Sequence, residues 1–268
     1  MKLRILISFM ILLSVAAAAA PISARVQTRD GRVQIGKLTG RSSGMLNFQA
    51  GSGAVASIPD SQVNYIQFQI SDDDEEQIKR LFDEGEYRKL AEPLNELLPE
   101  YLPYIDLPSN LSHKFLRWMV VSYWTGEYDR VLALSDVLQK FPKEFKTQSR
   151  FYRGLAQLEK KDFQSLEKLL AGPDGDAVCP PQSAARLYID ARLLQNRKQY
   201  VPAIRTAAAL MAEHSRDADW MPRAELLCAE LYGQLDMPES KKAVLDDIHE
   251  FYSDPRIQKQ AAAIAAKK

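Results

Sequence analysis

The stretch TGEYDRV, residues 125–131, places a glycine and a tyrosine just before an aliphatic residue. Nearly the same phrase, EGEYRKL, ends at Leu90, and weaker copies, KKDFQSL and RKQYVPA, end at Leu166 and Ala203. The aromatic residues of the four phrases stand at positions 87, 128, 163 and 200, and a fifth unit closes at Pro255. Repetition at this period predicts a mainly α-helical solenoid, in which each unit buries its apolar face on its neighbours.

The units resemble tetratricopeptide repeats, in which a turn with a glycine and an aromatic residue joins two antiparallel helices. Gly126, Tyr128 and Pro142 match that pattern best, and the resemblance covers residues 72–256. It implies a right-handed superhelix of about five helix pairs. In three units a larger residue replaces the small one that the family has after the turn, so a distorted superhelix is expected: Leu90, Val131 and Leu166.

The resemblance also implies a concave groove, lined by the first helix of each pair, that suits an extended peptide or a helix of a partner. In the register of the family, the groove positions are Lys79, Phe82, Tyr123, Trp124, Glu159, Tyr188, Arg192, Gln195 and Asn196. Tyrosine, tryptophan and arginine often dominate binding energies. For three of these positions a purely structural role stays open as the alternative. Tyr123 and Trp124 would then pack between repeats, and Arg192 would lie on a solvated helix face.

The amino terminus has the order of a secretory signal peptide, with two basic residues ahead of an apolar run over residues 5–20. That run is short for a membrane span of about 20 residues. We predict a cut near Ala24, with a cut within residues 16–20 as the alternative, because Ile22 stands where a small residue is preferred. The mature chain is then expected to be periplasmic or secreted, with no transmembrane segment. An uncleaved anchor is the rival interpretation.

Residues 25–70 are rich in glycine, glutamine and β-branched residues. The phrase RDGR favours a tight hairpin, and breaks at GRSSG, AGSGA and PDS predict about five short strands. Val33 and Ile35 alternate with polar residues, as do Leu46 and Phe48, so these four are predicted to form the buried face of a sheet. A sheet this small must curl to bury that face. The stretch resembles the small, strongly bent barrels of the Sm-like type.

The charge of the chain argues against nucleic acid as the partner. The chain carries 35 basic and 35 acidic residues, whereas a dedicated nucleic-acid binder presents a basic excess. Residues 25–70 alone hold five basic residues against two acidic ones. This local excess suggests an alternative role, in which the β module contacts an anionic glycan.

Catalytic and metal-binding motifs are weak. Gly40–Gly44 fits G-x-S-x-G with Ser42 as the nucleophile, but that motif needs a strand, a sharp turn and a helix, and here a second strand is expected. The three histidines share no short spacing with carboxylates, so no metal site or cofactor is predicted. A disulfide between Cys179 and Cys228 is compatible with export, but two unpaired cysteines are the favoured interpretation.

These patterns predict a signal peptide (1–24), a small β-barrel (25–70) and a helical solenoid (71–268). We interpret the protein as a non-catalytic exported adaptor that binds a protein or peptide partner, in particular another protein of a bacterial envelope. Repeat proteins of this kind in bacterial envelopes assist complex assembly, secretion or energy coupling, and the resemblance implies membership of that class. Two alternatives remain: an envelope glycan- or peptidoglycan-binding protein that uses the basic β module, and a serine hydrolase built on Ser42.

Overall fold

The computed structural model describes residues 21–138 and 143–267. Most of the predicted signal peptide, residues 1–20, lies outside the described residues. The chain divides into two compact units. The first unit extends to Gly126 and also includes residues 136–138, the end of a later helix. The second unit contains Glu127–Ser135 and the chain from residue 143 onward. The β module therefore shares its unit with the helices that follow it.

The first unit begins with a five-stranded antiparallel sheet. Its strands are β1 (Ile22–Thr28), β2 (Val33–Ser42), β3 (Met45–Ala50), β4 (Val55–Pro59) and β5 (Val63–Phe68). Their order across the sheet is β4-β3-β2-β1-β5, so β4 and β5 lie at opposite edges and do not pair with each other. The predicted closed barrel is therefore wrong, because the sheet is open.

Residues 99–110 explain why the sheet does not need to close. This segment lies between two of the helices that follow the sheet. It packs on the apolar face of the sheet, where the ring centroid of Phe68 lies 5.1 Å from that of Tyr101 and 5.7 Å from that of Tyr104. Because other parts of the unit cover this face, the sheet buries its core without curling into a barrel.

The same segment also pairs with the edge strand β5. The N–H of Ile66 donates to the carbonyl of Pro108 at 2.9 Å. The side chain of Asn110 accepts from the N–H of Phe68 and donates to the carbonyl of Phe68, each at 3.0 Å. These bonds satisfy backbone groups that an edge strand would otherwise leave open.

The predicted inner face is confirmed for β3 and is wrong for β2. Leu46 and Phe48 are fully buried, whereas Val33 and Ile35 are 44% and 62% exposed. The register of the sheet aligns Leu38, not Ile35, with the buried Phe48. Because side chains alternate along a strand, a one-residue change of phase moves all of them to the other face. The apolar residues that begin β2 therefore point away from the core.

The rest of the chain is helical. The helices are α1 (Asp72–Asp83), α2 (Tyr87–Leu97), α3 (Ser112–Trp124), α4 (Tyr128–Leu138), α5 (Lys143–Glu159), α6 (Phe163–Leu170), α7 (Gly175–Val178), α8 (Ala184–Asn196), α9 (Tyr200–Glu213), α10 (Met221–Gln234), α11 (Pro238–Phe251) and α12 (Pro255–Ala265). The prediction of a mainly helical chain with a five-stranded module is confirmed. Within the described chain, no helix combines the length and the apolar character that crossing a membrane requires.

Each repeated phrase of the sequence is a turn between two helices, as predicted. In each turn one residue has a left-handed backbone conformation two places before the next helix: Gly85, Gly126, Lys161, Lys198 and Asp236. In the first turn, Glu86 N–H donates to the Leu81 carbonyl at 2.9 Å and Gly85 N–H to the Phe82 carbonyl at 3.1 Å. This pair of bonds is the Schellman pattern, which ends a helix by satisfying its last carbonyls. The phrase recurs along the chain because it ends one helix and begins the next.

In the second unit, neighbouring helices pack in chain order, with α8 on α9, α9 on α10 and α10 on α11. The final helix, α12, packs on both α10 and α11. A buried apolar cluster fixes it there: Leu226, Ala229, Ile248, Ala261 and Ile264. The carboxy-terminal stretch is thus a packed helix, and just beyond its end Lys267 Nζ lies 3.8 Å from Glu230 Oε1.

Candidate functional site

The groove positions predicted from the repeat register divide between the two units. In the first unit, Lys79 and Phe82 lie on α1, and Tyr123 and Trp124 end α3. In the second unit, the remaining positions lie on α5 and α8: Glu159, Tyr188, Arg192, Gln195 and Asn196. Lys79 is exposed on its helix. The predicted residues thus form two local sets, one in each unit.

The aromatic residues of the first unit form a chain of ring contacts. The ring centroid of Phe82 lies 5.7 Å from that of Tyr87, and Tyr87 stacks on Trp124 at 6.0 Å. The guanidinium of Arg117 lies 5.2 Å from the Phe82 centroid, within the range of a cation–π contact. Tyr123 is only 4% exposed and its ring meets that of Trp124 edge-on. These contacts agree with the alternative in which the aromatic residues join helices.

In the second unit, one carboxylate joins α8 to α10. Arg192 Nη1 lies 2.9 Å from Glu230 Oε2, and Gln195 Nε2 donates to the same oxygen at 3.3 Å. The Arg192 side chain is 22% exposed, so it does not lie on a solvated helix face. Asn196 is exposed at the end of α8. The predicted positions Arg192 and Gln195 therefore meet at Glu230, a residue that the prediction did not include.

Aromatic rings and a second arginine lie beside this carboxylate. The ring centroid of Tyr188 lies 5.5 Å from that of Trp220. The guanidinium of Arg223 lies 5.1 Å from the Trp220 centroid, and Arg223 Nη1 lies 4.0 Å from Glu159 Oε1. We call this set the arginine–aromatic cluster: Glu159, Tyr188, Arg192, Trp220, Arg223 and Glu230. It combines side chains of α5, α8 and α10, which are the first helices of three successive pairs.

The surroundings of the cluster keep Tyr188 neutral and Arg192 charged. Burial raises the pKa of Tyr188, and burial together with Glu159 raises the pKa of Tyr128, which lies close by. Burial alone would lower the pKa of Arg192, but Tyr188, Glu230 and Glu159 outweigh it, so the pKa is raised. At neutral pH the cluster therefore offers phenol hydroxyls and guanidinium N–H groups as donors.

One donor of the cluster has no internal acceptor. Arg192 Nε is buried and makes no hydrogen bond to any residue that the structure describes. A buried N–H without an acceptor costs roughly 1–3 kcal/mol, so such groups occur where another requirement outweighs stability. The ion pair with Glu230 uses a different nitrogen of the same guanidinium. Arg192 thus holds Glu230 and keeps one N–H uncommitted.

Sequence reasoning missed three members of the cluster: Trp220, Arg223 and Glu230. The signal that finds Glu230 is the repeat period itself, because Glu230 follows Arg192 by 38 residues and Gln195 by 35. Residues one period apart occupy related positions on successive first helices, so they are natural partners across a helix pair. Trp220 lies just before α10 and carries no such signal, since it belongs to the turn that precedes the helix.

The other candidates from the sequence occupy structural positions. Ser42 ends β2 and a tight turn leads directly to β3 at Met45, so a strand follows the serine, as predicted. Cys179 and Cys228 are both buried and unpaired, in agreement with the favoured interpretation. Within the part of the chain that the structure describes, no three histidine, cysteine, aspartate or glutamate side chains are grouped to hold a metal ion.

Comparison of the chain with known protein families, with curated proteins and with solved structures gives no significant match.

Proposed function

We propose that the protein is a non-catalytic adaptor that binds an extended segment of a partner protein along α5, α8 and α10. The observation that carries this proposal is the arginine–aromatic cluster, in which the partly exposed side chains of Arg192, Arg223 and Trp220 surround the buried ring of Tyr188. Arginine, tyrosine and tryptophan are the residue types that most often dominate the energy of a protein interface.

The donors of the cluster suit a peptide backbone. An extended peptide presents carbonyl oxygens that need hydrogen-bond donors once they leave water. Arg223, whose side chain is 16% exposed beside the ring of Trp220, carries such donors. The half-buried ring of Trp220 suits an apolar side chain of the same segment. Together these groups match a short stretch of a partner that carries both a carbonyl and an apolar residue.

The acidic residues of the cluster favour binding over chemistry. Glu230 accepts from Arg192, and Glu159 lies close to Arg223. A general base must be free to accept a proton from a substrate. Carboxylates that face arginine guanidinium groups are instead suited to fixing the arginine side chains in place.

The adaptor is proposed to act outside the cytoplasm. This part of the proposal is supported by the signal-like order of residues 1–24 and by the resemblance to envelope repeat proteins. Partners in envelope complex assembly, secretion or energy coupling are the class that the resemblance implies. The arginine–aromatic cluster is the surface on which such a partner would bind.

A photo-reactive amino acid at Asn196, at the exposed end of α8, is expected to cross-link to the partner in the source cells. Arg192→Gln or Trp220→Ala should each lower the cross-linked yield at least about tenfold, because hot-spot residues are worth about 2 kcal/mol or more. The measurement is the amount of cross-linked partner recovered with the protein, for variants whose circular dichroism and unfolding curve match those of the wild type.

The matched control lies on α9, the second helix of the same pair. Arg205 is exposed there, so Arg205→Gln removes the same charge without touching the cluster. Cross-linking from Asn196 should survive this change, and a photo-reactive residue placed at position 205 should capture little. Equal capture from positions 196 and 205, or full capture by Arg192→Gln, would show that the cluster is not the binding site.

The structure also sharpens the position of the expected signal cut. Ile22 and Ala24 belong to β1, where they are 6% and 1% exposed. A cut after Ala24 would remove both buried residues from the sheet. We therefore expect the cut to fall within residues 16–20, so that β1 stays intact. Intact-mass spectrometry of the protein purified from its native location checks this, and a mature chain that starts at Arg25 would contradict it.

A further inference from the structure

The outer face of the five-stranded sheet is uncovered by any described part of the chain. Its apolar members are large and open to solvent, since Ile35 is 62%, Val55 75% and Tyr65 39% exposed. The opposite face of the sheet packs in the core, where Val26 and Phe48 are fully buried.

The strand register arranges this face in three rows across the sheet. The first row is Val55, Gln49, Lys37 and Ser23, the second is Ile35, Arg25 and Gln67, and the third is Val33, Gln27 and Tyr65. Directly opposite residues have Cβ atoms about 5 Å apart, and successive rows are separated by two residues along each strand, about 7 Å. The face is therefore a grid in which apolar, amide and basic side chains are interspersed.

The charge on the grid has one sign. Its ionisable side chains other than the Tyr65 phenol are Arg25 and Lys37, and no carboxylate stands in any of the three rows. Arg25 and Lys37 are exposed and form neither an ion pair nor a hydrogen bond with any described residue. Asp30, in the turn between β1 and β2, pairs with Arg32, whose Nη2 lies 2.6 Å from Asp30 Oδ2. Two uncompensated cations on a neutral grid attract an anionic ligand.

The neutral side chains of the grid indicate what else the ligand carries. Gln27, Gln49 and Gln67 are exposed on three different strands. Each amide has both donors and an acceptor, which matches hydroxyl and acetamido groups. Tyr65 and Ile35 supply flat and apolar surface, on which the C–H face of a sugar ring packs. A ligand with repeated hydroxyl groups, apolar ring faces and regularly spaced carboxylates satisfies all three features.

We propose that the outer sheet face binds a glycan strand that carries carboxylate groups. Arg25 and Lys37 pair with the carboxylates, the glutamines bind hydroxyl or acetamido groups, and Tyr65 packs on a sugar ring. An acidic protein partner would satisfy the two cations but leaves the three exposed amides, one in each row, without a role. This site lies on β1, β2, β3 and β5 and is separate from the arginine–aromatic cluster, so each is tested without changing the other.

The test compares two oligosaccharides of equal length and similar backbone. One alternates N-acetylglucosamine with N-acetylmuramic acid, which carries a lactyl carboxylate, and the other is the uncharged N-acetylglucosamine oligomer. Calorimetric titration of the full chain is expected to show binding of the charged oligomer at least about fivefold tighter, since two exposed ion pairs contribute modestly. Arg25→Gln with Lys37→Gln should remove this difference, and Tyr65→Ala should weaken binding of both oligomers.

The control variant, Lys242→Gln with Lys259→Gln, changes the net charge equally at exposed positions of α11 and α12. It should bind both oligomers as the wild type does. Binding of neither oligomer by a wild-type chain with a normal unfolding curve would overturn the proposal. So would equal affinity for the two oligomers, or loss of binding in the control variant. A poly-glutamate peptide of matched charge that binds as tightly as the charged oligomer would assign the face to an acidic protein instead.

Discussion

Replacement of Gly36 by alanine is expected to destabilise the first unit by about 4 kcal/mol, a large share of the stability of a small domain. A Cβ atom at position 36 would lie 2.1 Å from the carbonyl oxygen of Gln49 and 2.9 Å from Ala50 Cα. Both are backbone atoms of β3, which pairs with β2 at this point. Because a backbone cannot rotate away as a side chain does, the two strands must separate to admit the methyl group.

The measurement is urea unfolding followed by tryptophan fluorescence. Trp118 and Trp124 lie in the first unit and Trp220 in the second, so a Trp220→Phe background reports on the first unit alone. The matched control is Gly51→Ala, because no atom lies within 4 Å of the Cβ position there. We expect the control to stay within about 1 kcal/mol of the background. Equal losses at the two glycines would show that backbone freedom, not the close approach of β3, sets the effect at Gly36.

The region around Gly36 also shows what the sequence alone could not decide. In β2 the apolar residues Val33 and Ile35 alternate with Gln34 and Gly36, so the pattern predicts which residues share a face. The pattern does not predict which face is inner when glycine and glutamine occupy the other one. The pairing of β2 with β1 and β3 decides the face and places Gly36 on the inner one. The backbone of β3 comes too close there for any side chain at position 36.

Local signals predicted the helices well. The phrases that end at Leu90 and Val131 predict turns because a residue in the left-handed conformation must end one helix before the next begins. Lys161 and Lys198 serve the same purpose without glycine, which explains why the third and fourth phrases are weaker copies of the first two. The information for these turns lies within about seven residues, so a single sequence is sufficient to find them.

Contacts between distant segments could not be predicted in this way. Nothing in residues 99–110 indicates that they pack on the sheet and pair with β5, because those contacts join residues about forty positions apart. In the candidate site, Arg192 and Gln195 could be found from the repeat register. Their partner Glu230 required the additional step of comparing positions one period apart.

Arg41 is expected to be the second residue whose loss has a large effect, with Arg41→Ala costing about 3 kcal/mol in the first unit. Its guanidinium joins β2 to both a turn of the sheet and residues 99–110. Arg41 Nη2 lies 2.6 Å from Asp60 Oδ2, Nη1 donates to the Pro103 carbonyl at 2.6 Å, and both terminal nitrogens bond Asp106. The hydrogen bonds that Arg41 donates to Asp106 and Asp60 outweigh the effect of burial and raise the pKa of Arg41.

The cost of removing Arg41 comes from what remains behind. The side chains of Asp60 and Asp106 are only 20% and 29% exposed, so the alanine variant leaves two partly buried carboxylates facing each other without a cation. Arg41→Lys should recover part of the loss, because an ammonium group keeps the charge but cannot reach both carboxylates and a carbonyl in one plane. The same urea unfolding experiment in the Trp220→Phe background measures both variants.

Arg32→Ala is the matched control for Arg41→Ala. Arg32 also pairs with an aspartate on the same sheet, Asp30, but its side chain is 80% exposed. Exposed pairs contribute about 0–1 kcal/mol, so this variant should unfold almost as the background does. If Arg41→Ala were equally mild, water or a proton shared between the two carboxylates would have to replace the guanidinium. The contact between the sheet and residues 99–110 would then depend on its aromatic packing at Phe68 and not on the ion pairs of Arg41.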